Sequence, residues 1–395
     1  MQTEYHECEG SIKNNMKEHE RNYRVHREKN RSSLCSLWLV FDNNFVVKMT
    51  FIKEKAQMRL MSKLKYTYLL LALLIFCLGF KLYRQTYLIM GTFVEIVLPP
   101  PTDSSTTQIL EDTVERMRSL EDILSIYKKE SFINKLNSLK KDEIVKVPKE
   151  IYETVEKSIQ ISRITEGAFD ITVSPILKLW HFEGGKLRQI PKKEEIEKAR
   201  TRVGWEKIIL TSQGEVGFAV DHVSINLGGI AKGYIVDKAI MYLKEKGIRS
   251  ALINAGGDMY CLGKKRKGEP WQIGIRHPRK KDAIIGVVKL YDKAIATSGD
   301  YEKFFTLHGK RFSHIINPST GYPVDNNVIQ ATVIAPICAD ADALATALMV
   351  MGTEKGLRLI EGLKDTEAVM IEEDKMGKLL IHYTSGLQNS IEIYE

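Results

Sequence analysis

The chain has 395 residues, 44% of them hydrophobic, with 58 Lys and Arg against 50 Asp and Glu, which excludes a wholly disordered chain and leaves room for a large core. Five cysteines with no CxxC pair argue against a disulfide scaffold or a four-cysteine zinc site. The formal charge of +8 invites a nucleic-acid reading, but residues 1–65 carry 13 Lys and Arg against 8 Asp and Glu, leaving only +3 on the rest of the chain, too little footprint for DNA or RNA.

Residues 1–65 read as a leader. The stretch before Met58 mixes charges, Asn and scattered aromatics without a sustained period, so the natural start is expected at Met58 or Met61, with the upstream part a start-site artefact. Residues 66–83 read as a membrane anchor or signal segment. Tyr66 to Phe80 carries no charge and is bracketed by Lys65 and Lys81. It is shorter than the roughly 17–25 residues of a spanning helix and suits a signal-peptide core; a buried core helix is the other reading. Lys53, Lys55, Arg59, Lys63 and Lys65 precede it, favouring an N-inside orientation and an anchored region on the extracytoplasmic side of a bacterial cell membrane. No A-x-A cleavage site follows. Phe76 stands where a small residue precedes a lipidated Cys, so an uncleaved anchor is expected ahead of lipidation at Cys77.

One globular region is expected over 87–395, mixing strands and helices without a strict βαβ repeat. Residues 87–98 (YLIMGTFVEIVL) read as a strand closed by Pro99, Pro100 and Pro101. Helical spacing over 105–124 puts Leu110, Val114, Met117 and Leu120 on one face. Further helices are expected over 151–165, stopped near Gly167, and over 231–246, stopped by Gly247. Residues 250–254 and 331–335 read as strands, and 339–351 as a helix ending at Gly352.

The polar clusters carry the chemistry. Gly228 to Gly233 (GGIAKG) is neither GxGxxG nor a P-loop, yet glycines entering a helix with Lys232 in its first turn suit an anionic group; a tight strand-to-helix turn is the plain alternative. Asp342 and Thr346, four apart on a helix, put two oxygens on one face. That pair suits a hard cation such as Mg2+, unless Thr346 bonds back to its own helix and Asp342 caps it. His314 precedes a turn-rich stretch, and no HExxH pair is present. The turns at 256–258 (GGD) and 296–301 (ATSGDY) decide nothing singly.

Together and in order they do. MGT at 90–92, SIYKKESFINKLN at 125–137, GAFDITVSPILKLW at 167–180, INLGGIAKGYIVD at 225–237, INAGGD at 253–258, ATSGDY at 296–301, HIINPSTG at 314–321 and ADALATALMVMG at 341–352 resemble the ApbE family of FAD:protein FMN transferases. The resemblance implies an α+β fold of T-fold-like ApbE architecture, with antiparallel sheets flanked by helices behind the N-terminal membrane anchor. It implies a flavin transferase that binds FAD as flavin donor together with Mg2+, moves FMN onto a Ser or Thr hydroxyl of an acceptor protein, and releases AMP. By that similarity Met90, Tyr127, Ala168, Phe169, Asp170, Asn226, Lys232 and Ala345 line the FAD site. Asp342, Thr346 and the Gly229 carbonyl hold Mg2+, and His314 is the base. The implied acceptor carries a D-x-x-[ST]-G-A-T motif, absent from this chain, and is expected in a membrane electron-transport complex. Asn226 and Asn317 stand where the family commonly has Asp, which removes two charges while keeping size. An FAD pyrophosphatase yielding free FMN and AMP, and a flavin-storing lipoprotein, are the alternatives.

Overall fold

The computed structural model describes residues 82–100, 103–182, 190–265, 268–307 and 309–394, all within the second of two units, Phe76–Glu395. The expected leader and nearly all of the expected anchor lie outside the described residues. Among those described, no helix is long and apolar enough to cross a membrane.

The first strand reading is corrected. Residues 87–98 are not one strand but the end of β1 (Tyr83–Ile89), a two-residue turn, and β2 (Thr92–Leu98), paired antiparallel from Ile89↔Thr92 to Tyr83↔Leu98. Met90 and Gly91 take φ of 57° and 65°, the left-handed pair of a primed hairpin turn. Met is a rare choice there, so the apolar run hides the reversal.

The remaining elements follow in chain order. First come α1 (Ser104–Leu124), α2 (Phe132–Leu136), β3 (Ile144–Lys146), α3 (Lys149–Ile164), α4 (Ser174–Trp180) and α5 (Lys193–Arg200). They lead into β4 (Ile208–Thr211), β5 (Glu215–Phe218), α6 (Ala231–Glu245), β6 (Ala251–Ala255), β7 (Asp258–Leu262), β8 (Trp271–Arg276) and β9 (Ile284–Leu290). The last part holds β10 (Lys293–Gly299), β11 (Phe304–Leu307), β12 (Lys310–Ser313), β13 (Val328–Ala335), α7 (Cys338–Met351), α8 (Thr353–Glu361), β14 (Glu367–Glu373), β15 (Leu379–Tyr383) and β16 (Ile391–Ile393).

Eight strands form one antiparallel sheet in the order β1-β2-β6-β7-β10-β13-β14-β15. Its central strands are covered on both faces, and their side chains sort by the period of two. Val94, Ile96, Ile253, Ala296, Val333 and Met370 join the core shared with the helices. Val97, Ile295, Ile334 and Val369 join a second core, under the sheet β16-β9-β8. That is why β13 reads as an unbroken buried run rather than an alternating one.

On the helical side, α6 and α7 cross at very short range. A Cβ on Gly233 would stand 2.4 Å from the Cys338 carbonyl oxygen and 2.7 Å from the Ala339 Cα. The glycine is therefore a packing requirement. α7 has no cap of its own; Asp237 of α6 supplies one, accepting from the backbone N–H groups of Cys338 at 2.8 Å and Ala339 at 2.9 Å. Gly233→Ala is expected to lower stability by about 2 kcal/mol, because backbone must move to admit the methyl and alanine's better helix propensity offsets only ~1 kcal/mol. A denaturant midpoint equal to that of the parent chain would contradict this.

Candidate active site

The helical core opens on a cleft of about 530 Å³, within the usual size of a small-molecule site. Six stretches converge on it. They are the Ile126–Tyr127 loop after α1, the turn from Ala168 into α4, the Asn226–Gly229 turn with Lys232 at the start of α6, the β10 end with the turn after it, the His314–Pro318 stretch after β12, and α7 through Asp342 and Thr346.

Side-chain hydrogen bonds hold each loop in place. Asn134 Nδ2 donates to the carbonyls of Ile126 and Lys128, both at 2.9 Å, which shapes the loop bearing Tyr127, a side chain 65% exposed at the cleft. Asn137 grips Ile225 from both sides, its Oδ1 accepting from the backbone N–H at 2.7 Å and its Nδ2 donating to the carbonyl at 2.9 Å. Asp170 accepts from Thr172 N at 2.8 Å, Thr172 Oγ1 at 2.6 Å and Trp205 N at 2.9 Å. Burial pushes its carboxyl above the ordinary range against those bonds. The carboxylate thus ties the chain around Phe169 as well as facing the cleft.

Asn226 and Asn317 each act as an Asx acceptor. Asn226 Oδ1 takes Gly228 N at 2.8 Å, and Asn317 Oδ1 takes Ser319 N at 2.9 Å and Ser319 Oγ at 2.7 Å. An aspartate would make the same bonds, so the local turn is kept while the charge is lost.

The glycine run uses part of its donor set within the protein. Of the first-turn donors of α6, Ala231 N is taken by the Leu227 carbonyl at 2.8 Å and Gly233 N by Asp342 Oδ2 at 3.1 Å. The positive charge comes instead from Lys232, whose ammonium pairs with Asp258. Burial disfavours that charge, but Asp258 and Asp342 outweigh it and raise the lysine's pKa. Asp258 and Asp342 are 1% and 4% exposed, and burial lifts both carboxyls, with Asp258 adding to the shift at Asp342.

The i,i+4 pair on α7 faces the cleft, as its spacing predicts, and is not bonded back to its own helix. Asp342 reaches Gly233, and Thr346 Oγ1 lies 3.2 Å from Ser298 Oγ on β10. Gly229 approaches the same hydroxyl: a Cβ there would stand 3.4 Å from Thr346 Oγ1 and 3.2 Å from the Phe169 ring.

His314 follows β12 and lines the cleft. Its Nδ1 lies 3.0 Å from the Lys303 carbonyl, so Nδ1–H is the donor and Nε2 carries the free lone pair. Burial is the main cause that lowers its pKa to about 4, with Lys303 and Lys232 adding to the effect and the Lys303 hydrogen bond opposing it. At neutral pH the ring is an uncharged acceptor.

Of the residues expected at the site, Tyr127, Ala168, Phe169, Asp170, Asn226, Gly229, Lys232, His314, Asp342 and Thr346 line the cleft, whereas Met90 and Ala345 are not in its wall. Met90 sits at the tip of the first hairpin, and Ala345 is fully buried in the core. Sequence reasoning did not pick out Ser298, Glu302, Lys303 or the ion-pairing role of Asp258. Ser298 and Asp258 lie inside quoted blocks, and Glu302 and Lys303 directly follow one. Glu302 also lines the cleft, where desolvation, reinforced by the Asp258 carboxylate, raises its carboxyl.

The ApbE family model matches residues 90–370. The FAD:protein FMN transferase of Vibrio cholerae is 34% identical over 290 residues, 72% of this chain and 86% of that protein. Among solved structures, the flavin transferase ApbE from Vibrio cholerae superposes with a TM-score of 0.70 at 30% identity, covering 79% of this chain and 99% of that one. The flavinyl transferase ApbE from Pseudomonas stutzeri, in its apo form, gives 0.71 at 32% identity, with 79% and 97% covered.

Proposed function

The chain belongs to the ApbE family and is a flavin-transferring enzyme, and from that premise we propose that it moves FMN from FAD onto a Ser or Thr hydroxyl of an acceptor protein and releases AMP. The observation that carries the reading is the convergence of His314, Lys232 and the Asp342–Thr346 pair on one cleft.

In the reaction the acceptor hydroxyl oxygen bonds to the FMN phosphorus, the bond from that phosphorus to the bridging oxygen breaks, and AMP departs with the oxygen. His314 Nε2 takes the hydroxyl proton. Its Nδ1–H stays on the Lys303 carbonyl, which keeps the ring from rotating as charge develops. Lys232 sets a positive charge where the pyrophosphate's negative charge gathers. Tyr127 and Phe169 offer aromatic faces to the flavin or adenine, and the Asn226 amide adds polar contact.

Mg2+ fits the donors present. Asp342 offers a buried carboxylate, Thr346 a hydroxyl and Gly229 a backbone carbonyl, beside a space that a Cβ at residue 229 would fill; all are hard oxygen ligands. Among the described residues no three His, Cys, Asp or Glu side chains gather to hold a metal; the set that would hold it is one carboxylate, one hydroxyl and one backbone carbonyl. When bound, the ion would supply charge neutralisation for the pyrophosphate and its leaving group.

The acceptor is proposed to carry the D-x-x-[ST]-G-A-T motif and to belong to a membrane electron-transport complex, with this chain anchored at residues 66–83 and its catalytic region, 87–395, outside the cytoplasm. Incubating the protein with FAD, Mg2+ and a peptide bearing that motif is expected to add one FMN mass to the peptide and to release AMP. Free FMN without labelled peptide would make the enzyme an FAD pyrophosphatase, and no AMP at all would leave flavin storage.

A further inference from the structure

His314 depends on a carbonyl that another segment holds in place. The Lys303 carbonyl accepts both the His314 backbone N–H at 2.9 Å and the ring Nδ1–H at 3.0 Å, and Lys303 belongs to the turn between β10 and β11. Among the described residues the His314 ring has no other hydrogen-bond partner.

That turn is pinned at its first residue from the opposite side of the large sheet. Arg279 lies in the loop joining β8 to β9, yet its guanidinium meets Asp300 in a two-point contact, Nη1 to Oδ1 at 2.7 Å and Nη2 to Oδ2 at 3.0 Å. Its Nε and Nη2 also hold Glu373, at the end of β14, at 3.1 and 2.8 Å. The three side chains are 24%, 15% and 29% exposed, too sheltered to count as an ordinary surface pair. The planar fork makes all these bonds at once, which a lysine cannot do. The loop itself is braced by His277 Nδ1, which accepts from Arg279 N and Lys280 N, both at 3.1 Å. Asp300 N donates to the Ile329 carbonyl at 3.0 Å and Tyr301 Oη to Gln330 Oε1 at 2.9 Å. The turn is thereby fastened to β13 before it reaches Lys303.

We propose that Arg279 is a positioning residue for His314: by clamping Asp300 to Glu373 it fixes the turn whose Lys303 carbonyl holds the imidazole with Nδ1–H donated and Nε2 turned to receive a proton. This rests on His314 acting as the base of flavin transfer. A displaced carbonyl frees the ring to rotate and to exchange tautomers, and misplacing a reacting group by about 1 Å can lower a rate ~100-fold.

The test uses the full chain with Arg279→Met and Arg279→Lys, read in two ways. Nitrogen-15 NMR of the histidine rings at neutral pH, with the His314 signals assigned by their loss in His314→Ala, is expected to show one Nδ1-protonated tautomer in the parent and a tautomer mixture in Arg279→Met. Transfer kinetics are expected to show kcat lowered about 10- to 100-fold with KM for FAD within about twofold. In a His314→Ala background the same Arg279 change is expected to cost less than about twofold, since the group it positions is gone. An unchanged His314 tautomer in Arg279→Met, or an equal loss of rate with and without His314, would overturn the proposal. Full transfer by His314→Ala would instead remove His314 as the base, and the NMR comparison would still decide whether Arg279 fixes the ring. Should Arg279→Met fail to fold, Asp300→Asn keeps the side-chain shape while weakening the clamp and is expected to give the same tautomer mixture.

Discussion

Replacing His314 by alanine is expected to leave FAD binding intact while lowering FMN transfer by about 10²- to 10⁴-fold, the usual contribution of a positioned general base. The ring's hydrogen bond runs to the Lys303 carbonyl, while Lys232 is paired with Asp258, so loss of the ring removes a proton acceptor and leaves that ion pair in place. Flavin fluorescence titration checks the first half of the expectation, and peptide mass the second. Transfer at the parental rate would take His314 out of the mechanism. The pH profile adds an independent check. With a folded-state pKa near 4, set mainly by burial, the imidazole stays neutral well below the 6.5 of a free histidine. The acid limb of kcat/KM should therefore fall near pH 4, and a limb near 6.5 would contradict it. Stability is linked to the same group. The unfolded chain takes up a proton that the folded one refuses, so this contribution is complete above pH 6.5 and fades as pH drops from there towards 4. His314→Ala, lacking that group, should show a flatter stability profile over the same interval.

Legibility in the sequence followed the distance over which an interaction acts. The α7 pair was legible because a helix brings residues four apart onto one face whatever lies around it, and the Gly247 and Gly352 stops were legible because a glycine ends a helix locally. The hairpin at Met90–Gly91 was not, since the reversal rests on a left-handed methionine within an apolar run. Gly233 was visible as a glycine but not for its reason. Nothing near it in sequence shows that the Cys338 backbone lies where its Cβ would be. The same limit hid the Asn137 grip on Ile225, the Lys232 pairing with Asp258 and the Arg279 clamp on Asp300 and Glu373. Each joins residues far apart in the chain that only the finished fold brings together. The ordered motif blocks therefore pointed to the family and to most of the cleft wall. They could not distinguish residues that face the cleft from those, like Asp237, that hold the wall up.

Lys232→Met is expected to carry the largest loss of stability of any single change at the site. Methionine keeps most of the stem and removes the ammonium, leaving Asp258 and Asp342 buried beside each other without their cation. Breaking a buried pair in this way costs about 3 kcal/mol, the lower end of the range because the Lys232 side chain is itself 31% exposed. The sign of the pH dependence follows from the carboxyls. Burial already raises both in the folded chain, and removal of the lysine raises them further. A carboxyl whose folded pKa lies above its unfolded value favours folding only while protonated. Its stabilisation is complete below the unfolded value and is lost as pH rises through the folded one. The deficit of Lys232→Met relative to the parent should therefore shrink towards pH 4 and widen towards pH 8, in denaturant titrations run across that interval. Adding Asp258→Asn to Lys232→Met removes one of the stranded charges and should recover much of the lost stability at neutral pH, without recovering transfer, because the positive charge proposed for the pyrophosphate is still missing. A deficit that grows on acidification, or a double variant less stable than the single one, would mean that the lysine is held for its packing rather than for its charge.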